Sequence, residues 1–209
     1  CSYWGSEHCG YGGNGGDCGA ALEMLARSGI KHITIVDFDR FEESNLNRQI
    51  LCLNNDLGKY KVKVAKTRCI NINKGIQITT INKKLDEKLI NKLDGYDYII
   101  DACDDVNAKV LLVKYAINKN IKIISSCGTG NRLNPTKLYV TNIWKTENDP
   151  LAKKFRQYLR KENINYKLPV VTSKEVPIVK EKTVASIATV PNTAGIFLAS
   201  YVSRDIINK

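Results

Sequence analysis

Short runs of β-branched residues alternate along this chain with longer stretches that carry apolar residues at helical spacing. Such alternation indicates a strand followed by a crossover helix, and repetition of that unit builds a parallel sheet with helices on both faces. We therefore predict an α/β fold with a Rossmann-like, doubly wound, mostly parallel sheet and a C-terminal extension. The predicted strands are His32 to Asp37, Ile76 to Ile81, Tyr98 to Asp101, Lys122 to Ser126 and Lys137 to Ile143.

Helical periodicity is clearest in three segments, and Pro191-Asn192 marks the start of the last one. Each row of apolar residues is expected to form the buried face of a helix. The rows are Val62, Ala65, Cys69 and Ile72; Val110, Val113 and Ile117; and Ala194, Phe197, Leu198 and Tyr201.

The length and composition fit one hydrophobic core. The chain has 209 residues, 43% of them hydrophobic, and its composition does not suggest disorder or a fibrous repeat. We predict a single domain over residues 1–209. Residues 145–182 interrupt the alternation of strands and helices, so we predict that they form an insertion that binds the substrate.

The chain is basic, with a formal net charge of +11. Such a charge favours an anionic partner such as nucleic acid, although a basic enzyme can carry it without one. Basic residues are dense in one amphipathic stretch, whose polar side fits either a phosphate-binding strip or a solvated helix face. Its apolar residues are Leu151, Phe155, Tyr158 and Leu159, and its basic ones are Lys153, Lys154, Arg156, Arg160 and Lys161.

The seven cysteines lie at positions 1, 9, 18, 52, 69, 103 and 127. They form no C-x-x-C pair, which disfavours a structural zinc site, and no paired framework, which disfavours a disulfide scaffold. Together with the lack of an evident signal peptide, this predicts a cytoplasmic protein. Polar residues, proline and glycine interrupt the apolar segment from Val184 to Val202, so we predict no membrane span.

The stretch from Ile35 to Gln49 joins the end of an apolar strand to an acidic pair and then to an Asn/Arg cluster. An acidic residue that closes a parallel strand, here Asp37, is placed to bind a ribose hydroxyl. An arginine in the next segment, Arg48, can meet negative charge that develops on a phosphate. Taken singly, these residues also fit a capped turn and an ordinary surface arginine. Together they predict a site at which a nucleotide is cut as well as held.

A glycine-rich run, Gly10 to Gly16, precedes a helix that carries Leu22, Leu25 and Ala26. Glycines there let backbone N–H groups approach phosphates at the positive end of the helix. Residues 1–8 lack the apolar run expected of a preceding strand, so this end of the chain diverges from a regular strand–loop–helix unit.

These motifs resemble the signature of the ThiF/MoeB superfamily, which includes the activating domains of ubiquitin-activating enzymes. The resemblance continues in Leu57-Gly-Lys-Tyr-Lys61, at the place of the family's catalytic lysine, and in Asp101-Ala-Cys-Asp-Asp105, at the place of its magnesium-binding aspartate. Members of the superfamily adenylate carboxylates. The resemblance therefore implies ATP and Mg²⁺ as cofactors and suggests a homodimer.

The same resemblance implies a role for each site residue. Arg48, Lys61 and Asp104 would be catalytic, and Asp104 would also bind the metal. We expect the guanidinium, the ammonium and the metal-bound aspartate to converge on one triphosphate. The acid at the strand end would bind the ribose, and the two amide side chains would position phosphate oxygens. The implied cofactor-binding residues are Gly12, Gly13, Gly15, Asp37, Asn45 and Gln49.

The glycine loop fits the family's G-x-G-G-x-G pattern in two registers. Read from Gly10, its distance to Gly29 is longer than the family's by three residues; read from Gly13, the distance fits but Cys18 replaces the last glycine. The family's basic N-terminal segment, whose arginine reaches across the dimer, has no counterpart in this sequence. An inactive nucleotide-binding module is therefore an alternative function.

Several stretches of the second half resemble one branch of the superfamily, the tRNA threonylcarbamoyladenosine dehydratases, and this resemblance runs from Gly19 to the C-terminus. It implies an ATP-dependent, ligase-type enzyme that adenylates the threonyl carboxylate of the modified adenosine beside the anticodon of a tRNA. A nucleophile within the substrate then closes a ring, and AMP and pyrophosphate are released. The stretches are Ser126 to Lys137, Trp144 to Thr146, Asp149 to Lys153, Val170 to Pro177, and Ser186 to Gly195.

Two other enzyme functions are alternatives. One is adenylation of the C-terminal glycine of a ubiquitin-like sulfur carrier, but that branch commonly has paired C-x-x-C motifs and often a later cysteine, whereas no cysteine follows Cys127. Cys127 itself is expected to pack at a strand end as a small buried residue. The other is a nicotinamide oxidoreductase, which shares the glycine-rich loop and Asp37 but leaves Arg48, Lys61 and Asp104 without a role.

Overall fold

A computed structural model of the chain describes residues 8–12, 16–91, 95–178 and 185–208, the first of these ranges by its backbone only. Within these residues, seven strands form one sheet. The strands are β1 (His8–Gly12), β2 (His32–Val36), β3 (Gln77–Ile81), β4 (Tyr98–Asp101), β5 (Lys122–Ser126), β6 (Leu138–Asn142) and β7 (Pro169–Ser173).

The strands lie in the order β3-β2-β1-β4-β5-β7-β6. All neighbouring pairs are parallel except β6 with β7, which confirms the predicted mostly parallel sheet. The strand order reverses between β1 and β4, and α/β proteins bind ligands in the crevice outside the carboxyl ends of strands at such a point. Gly12 pairs with both Val36 and Asp101, so three strands end level with one another at this edge.

Helices cover both faces of the sheet. Isoleucines of the central strands alternate between the two cores: Ile100 and Ile124 pack on one side, and Ile99 and Ile123 on the other. This alternation is the period of two expected of pleated strands that are buried on both faces. One core contains α1 (Gly16–Arg27), α2 (Lys61–Ile72) and α6 (Thr189–Ile207), and the other contains α3 (Glu87–Ile90), α4 (Val106–Lys119) and α5 (Pro150–Lys161).

The five predicted strands are present. Two have the predicted bounds, and the other three are shorter by one residue at one end or at both. The strands β1 and β7 were not predicted. The β1 sequence contains Gly-Tyr-Gly in place of an apolar run, and this strand is defined by backbone pairing with β2 on one side and β4 on the other.

The predicted helical faces are largely correct. Val62, Ala65 and Cys69 of α2 are buried, and Ala194 and Leu198 of α6 are fully buried, with Ile72, Phe197 and Tyr201 partly buried against the same core. The prediction for Ile117 of α4 was wrong, because this side chain is 42% exposed. The buried row passes from Val113 to Ala116 instead, and both spacings are compatible with 3.6 residues per turn.

Residues 145–182, predicted as an insertion, contain α5 and β7. β7 lies between β5 and β6 in the sheet, and α5 buries Ala152, Phe155 and Leu159 completely in the second core. The segment that interrupts the sequence pattern is therefore built into the sheet and its covering layer. Its role in binding a substrate stays a prediction.

The helices α1 and α6 pack closely because Gly195 lacks a side chain. A Cβ at position 195 would overlap the carbonyl oxygen of Asp17 and would lie 2.9 Å from the Ala21 nitrogen. The first half of α6 contributes Val190 to the core with no exposed surface. Among the described residues, no helix combines the length and the apolar character needed to cross a membrane.

We expect Gly195→Ala to lower the free energy of unfolding by about 1–3 kcal/mol, the usual cost of overpacking a tight contact. The better helix propensity of alanine, worth about 1 kcal/mol, offsets part of that cost. Gly75→Ala is the matched control, because the atom nearest to its added Cβ is Asn73 Oδ1 at 3.5 Å. Urea unfolding measures both variants, and wild-type stability in Gly195→Ala would contradict the close contact.

Candidate functional site

A cavity of about 770 Å³ opens at the carboxyl ends of β4 and β5, beside the first turn of α1. Its walls come from distant parts of the sequence: Asp17 in α1, Arg48 after β2, Asp104 after β4 and the loop from Cys127 to Arg132 after β5. The cavity thus lies at the edge of the sheet where the parallel strands end. Its size is within the usual range of small-molecule sites.

Arg48 reaches the cavity from the turn that follows β2. Its Nη1 donates to the carbonyl oxygen of Ser44 at 2.6 Å and to Asn47 Oδ1 at 2.9 Å. The carbonyl oxygen of Arg48 accepts from Asn192 Nδ2 of α6 at 3.0 Å. Both ends of the residue are therefore held in place, which suits a guanidinium that must meet charge on a ligand without reorganising.

The turn between β4 and α4 brings Asp104 to the same cavity. Asp104 is exposed, whereas its neighbour Asp105 caps α4 by accepting from the Asn107 nitrogen at 2.9 Å. Lys84 Nζ also lies 3.7 Å from Asp105 Oδ2. Asp105 is therefore the N-cap of α4, while Asp104 remains on the cavity wall.

Asp37, Gln49 and Lys61 line a second, much smaller cavity of about 20 Å³. Lys61 Nζ lies 3.4 Å from Asp39 Oδ2, and the lysine side chain is only 11% exposed. Cys18 of α1 belongs to this cavity, so the first two turns of α1 separate it from the larger one. Among the described residues, Arg48 and Asp104 share one space, as expected, but Lys61 does not share it.

Asp37 was predicted as the last residue of its strand; it follows β2 directly instead, and it is buried. Its Oδ1 accepts from the Asp39 nitrogen at 2.8 Å. Burial raises the pKa of this carboxyl to about 6, although the Asp39 N–H and the charge of Lys61 lower it. The proton on Asp37 is therefore held more tightly than on an ordinary aspartate, and below about pH 6 it competes with a ligand that donates hydrogen bonds to the carboxylate.

Asn45 belongs to the turn that carries Arg48. Its Oδ1 accepts from the Glu42 nitrogen at 3.2 Å and its Nδ2 donates to Ser44 Oγ at 3.3 Å. The Gln49 nitrogen donates to the carbonyl oxygen of Asn45 at 2.9 Å. These contacts give Asn45 a structural task in shaping the turn, and its predicted part in positioning phosphate oxygens stays a prediction.

The glycine loop lies between β1 and α1. Gly12 is the last residue of β1, while Gly13 and Gly15 lie outside the described residues. The helix α1 begins at Gly16. Both registers of the loop include residues outside the described part of the chain, so the register stays a prediction.

Asp17 was missed in the sequence analysis. It lies in the first turn of α1, lines the larger cavity and is 5% exposed. Burial raises the pKa of the Asp17 carboxyl, against the effects of the Ser126 side chain and the charge of Lys109. An acid just after a glycine-rich run is typical of a helix start, but its contact with β5 depends on the tertiary fold.

Arg132 was also missed, although it lies in a stretch that the sequence singled out. Its side chain is buried at the cavity, where Nη1 donates to the Ser173 carbonyl at 2.8 Å and Nη2 to the Asn148 carbonyl at 3.0 Å. Nη2 lies 3.8 Å from Asp149 Oδ2. The guanidinium therefore joins the loop after β5 to β7 and to the start of α5.

The Asp149 carboxylate connects three structures. It caps α5 by accepting from the Ala152 nitrogen at 2.9 Å, and it accepts from the Gly128 nitrogen at 3.0 Å and from Thr172 Oγ1 at 2.8 Å. One side chain thus joins α5, the cavity loop and β7.

Cys127 is buried directly after β5, as predicted, and its N–H donates to the Val171 carbonyl at 2.9 Å. Burial raises the pKa of its thiol, and the charge of Asp149 adds to this effect. A thiolate nucleophile is therefore disfavoured at this position.

A model of the protein family described as ThiF matches residues 7–207. The chain belongs to the ThiF family. This membership confirms the resemblance found in the motifs.

Members of the ThiF family with the name tRNA threonylcarbamoyladenosine dehydratase are similar to this chain. The Bacillus subtilis protein is 34% identical, over 93% of this chain and 85% of the relative. Dehydratase 2 of Saccharomyces cerevisiae is 37% identical, over 79% of this chain but only 38% of the relative. The chain thus spans most of the bacterial protein and less than half of the yeast protein.

Several solved structures have the same fold as this chain. The Escherichia coli dehydratase TcdA, solved in complex with AMP, matches with a TM-score of 0.91 and 29% identity, over 97% of this chain and 86% of that one. The structure of TcdA with ATP matches equally well. Escherichia coli MccB, at 23% identity and a TM-score of 0.68, shares the fold.

The raised pKa of Asp37 predicts a pH-dependent affinity for ATP. If ribose hydroxyls donate to Asp37, binding favours its ionised form, so the Kd for ATP should fall as the pH rises from about 5 to about 7 and then level off. Asp37→Asn, which cannot titrate, should lose this part of the dependence and keep only that of the nucleotide itself. Calorimetric titrations over this pH range measure both proteins, and identical pH profiles would contradict the role of Asp37.

Proposed function

We propose that the chain is an ATP-dependent tRNA threonylcarbamoyladenosine dehydratase. The observation that carries the proposal is the shared cavity of Arg48 and Asp104 at the carboxyl edge of a ThiF-family sheet. Relatives with this name at 34–37% identity, and the fit to TcdA solved with AMP and with ATP, support it. The substrate would be the threonyl carboxylate of the modified adenosine, and the products would be the cyclised nucleoside, AMP and pyrophosphate.

Adenylation brings two anions together, the substrate carboxylate and the triphosphate of ATP. The site must therefore supply positive charge and hold the attacking and leaving oxygens in line. Arg48, fixed by Ser44 and Asn47, would receive the charge that develops on the α-phosphate. The atom that closes the ring and expels AMP belongs to the substrate, so the buried Cys127 thiol has no part in this reaction.

Asp104 fits the chemistry of the Mg²⁺ ion that the family resemblance implies. It is an exposed carboxylate on the cavity wall, and Mg²⁺ prefers such hard oxygen ligands. No group of three or more His, Cys, Asp or Glu side chains in the described part of the chain could hold a metal ion. This suits an ion bound by one or two carboxylates, water and phosphates. When bound, Mg²⁺ would neutralise charge on the departing pyrophosphate.

Asp37 would bind the ribose of the nucleotide, and Gln49, which lines the same small cavity, would position a phosphate oxygen. Their cavity of about 20 Å³ holds little more than one water molecule, so it would have to widen when the sugar enters. Lys61 would exchange its contact with Asp39 for one with a phosphate. A partly exposed ion pair at 3.4 Å allows such an exchange at small energetic cost.

The exposed side of α5 would bind the tRNA backbone. Lys154 and Lys161 both lie over the ring of Tyr158, with Nζ to centroid distances of 5.9 and 5.3 Å. Arg156, by contrast, turns inward and donates to the carbonyl oxygens of Ile143 and Thr146. It therefore has to be removed from the predicted phosphate-binding strip, whose exposed members are Lys153, Lys154, Arg160 and Lys161.

Release of AMP in the presence of modified tRNA tests the proposed function. We expect the wild-type chain to form AMP only with threonylcarbamoyladenosine-modified tRNA, and the tRNA to lose the mass of one water molecule. AMP formation driven by a ubiquitin-like carrier protein instead would favour the sulfur-carrier enzyme, and nucleotide binding without AMP formation would favour an inactive module.

The proposal also includes a homodimer and a cytoplasmic location, which size-exclusion chromatography and cell fractionation measure.

We expect Arg48→Ala and Asp104→Ala each to reduce AMP release by a factor of about 10²–10³ or more, because each removes charge stabilisation of the reacting phosphates. Circular dichroism should show an unchanged fold. Arg204→Ala and Asp205→Ala, which remove the same charges from the last turn of α6, are the matched controls. Wild-type turnover in either site variant would remove the assignment of that residue.

The affinity for tRNA should fall steeply with salt concentration, because phosphate contacts release counterions. The double variant Lys154→Ala/Lys161→Ala should bind more weakly, with a slope of log K against log salt that is lower by about 1–2. Lys63→Ala/Lys66→Ala on α2, on the opposite face of the sheet, is the control. Fluorescence anisotropy at several salt concentrations measures the slopes, and a flat response in the wild type would refute the basic strip.

A further inference from the structure

Lys109 is a fully buried lysine beneath the cavity floor. Its Nζ donates to Asp101 Oδ2 at 3.0 Å and to the Ser126 carbonyl at 2.6 Å, and both partners are buried as well. The ring of Phe155 lies 5.7 Å from the ammonium. Lys109 lies on α4, whereas its two partners end the neighbouring strands β4 and β5, so the ammonium joins three elements at one point.

The Asp101 carboxylate connects Lys109 to the turn that carries Asp104. Its Oδ1 accepts from the Cys103 nitrogen at 3.2 Å and from Cys103 Sγ at 2.9 Å. With Lys109 on Oδ2, both oxygens of one carboxylate are used. The turn therefore has a fixed shape at its first half, directly before the residue that faces the cavity.

The Ser126 carbonyl connects Lys109 to the opposite wall of the cavity. Ser126 is the last residue of β5, and the chain from Cys127 to Arg132 continues as cavity lining. Because Asp101 pairs with Ser125 in the sheet, the two strand ends lie side by side. Lys109 thus sets the distance between the wall that carries Asp104 and the wall that carries the glycine-containing loop.

Stability alone does not require a charged pair at this place. The desolvation of a buried ammonium and carboxylate offsets much of their electrostatic attraction. A well-packed apolar pair of similar size often gives the fold equal or greater stability. The charge of Asp101 raises the pKa of Lys109 although burial lowers it, so the ammonium keeps its proton. The other titratable groups around it are Asp17, Cys103 and Cys127.

We propose that Lys109 is a positioning residue, which holds the Asp101–Asp105 turn and the start of the loop after β5 in register and thereby fixes the Asp104 carboxylate at the cavity wall. This inference rests on the proposed function of Asp104 as the metal ligand. Lys109 and Asp101 do not line the cavity themselves, so they act on a ligand only through Asp104 and the loop.

The test compares Lys109→Met with the apolar double variant Lys109→Met/Asp101→Leu. The single variant leaves the Asp101 charge buried without its partner, so its thermal midpoint should fall, while the double variant should recover much of that loss. If Lys109 only stabilises the fold, recovery of stability restores function. If it positions Asp104, the metal site stays impaired in the double variant despite its recovered stability.

Mn²⁺ binding in the presence of ATP, followed by the EPR signal of free Mn²⁺, is the readout that does not need turnover. We expect the Kd for Mn²⁺ to rise about 10–100-fold in both variants, the usual effect of removing a partner that orients a metal ligand. Binding of ATP without metal should change less than about twofold by comparison. Asp205→Asn, on the far end of α6, is the control and should match the wild type.

Two further results decide the proposal. Wild-type Mn²⁺ affinity in the double variant, or in Lys109→Met, would overturn it. In the AMP assay, the Mg²⁺ concentration for half-maximal activity should rise with the Mn²⁺ Kd, and Lys109→Arg, which keeps the charge, should restore part of the loss.

If the wild-type chain releases no AMP with modified tRNA, the proposed function fails, but the Mn²⁺ measurement still decides whether Lys109 positions Asp104. If Lys109→Met does not fold, the double variant tests the Lys109–Asp101 pair as one unit, because Asp101 also accepts from Cys103, and Lys109→Arg tests Lys109 by itself.

Discussion

The parallel register of β1, β2, β4 and β5 governs the rest of this structure. Gly12 pairs with Val36 on one side and with Asp101 on the other, and Asp101 pairs with Ser125 in turn. Since these strands end level, the chain leaves each of them at one edge of the sheet, where ligands of α/β proteins bind. Isoleucines on alternate sides of the strands bury both faces and keep that register, because a slip of one residue would exchange the two faces.

Much of the architecture was predictable because its causes are local. A β-branched run between polar turns specifies a strand wherever it occurs, and five strands were found in this way. The strand β1 was not, because the two glycines of Gly-Tyr-Gly disfavour a strand, and the segment acquires its structure from two neighbours that are far away in sequence. Ile117 shows the limit of periodicity: positions three and four after Val113 both suit a buried face, and only the packing of the sheet decides between them.

The site was predictable where motifs fix the order of residues after a strand. Arg48 and Asp104 reach a common cavity for that reason. Lys61 does not share it, because it begins α2 and lines the smaller cavity beside Cys18 of α1. The burial of Lys109 could not be predicted from the sequence either, because a lysine in an amphipathic helix is usually solvated. Its ammonium is buried here because Asp101 and the carbonyl at the end of β5 accept its hydrogen bonds.

The carboxylate of Asp149 makes three parts of the molecule depend on one side chain. It holds the first turn of α5, the Gly128 amide and the hydroxyl of Thr172 at the same time. A substitution at this position would leave an amide of the cavity loop, a helix end and a buried hydroxyl without their acceptor together. A change at Asp149 would therefore alter the cavity wall although Asp149 does not line the cavity itself.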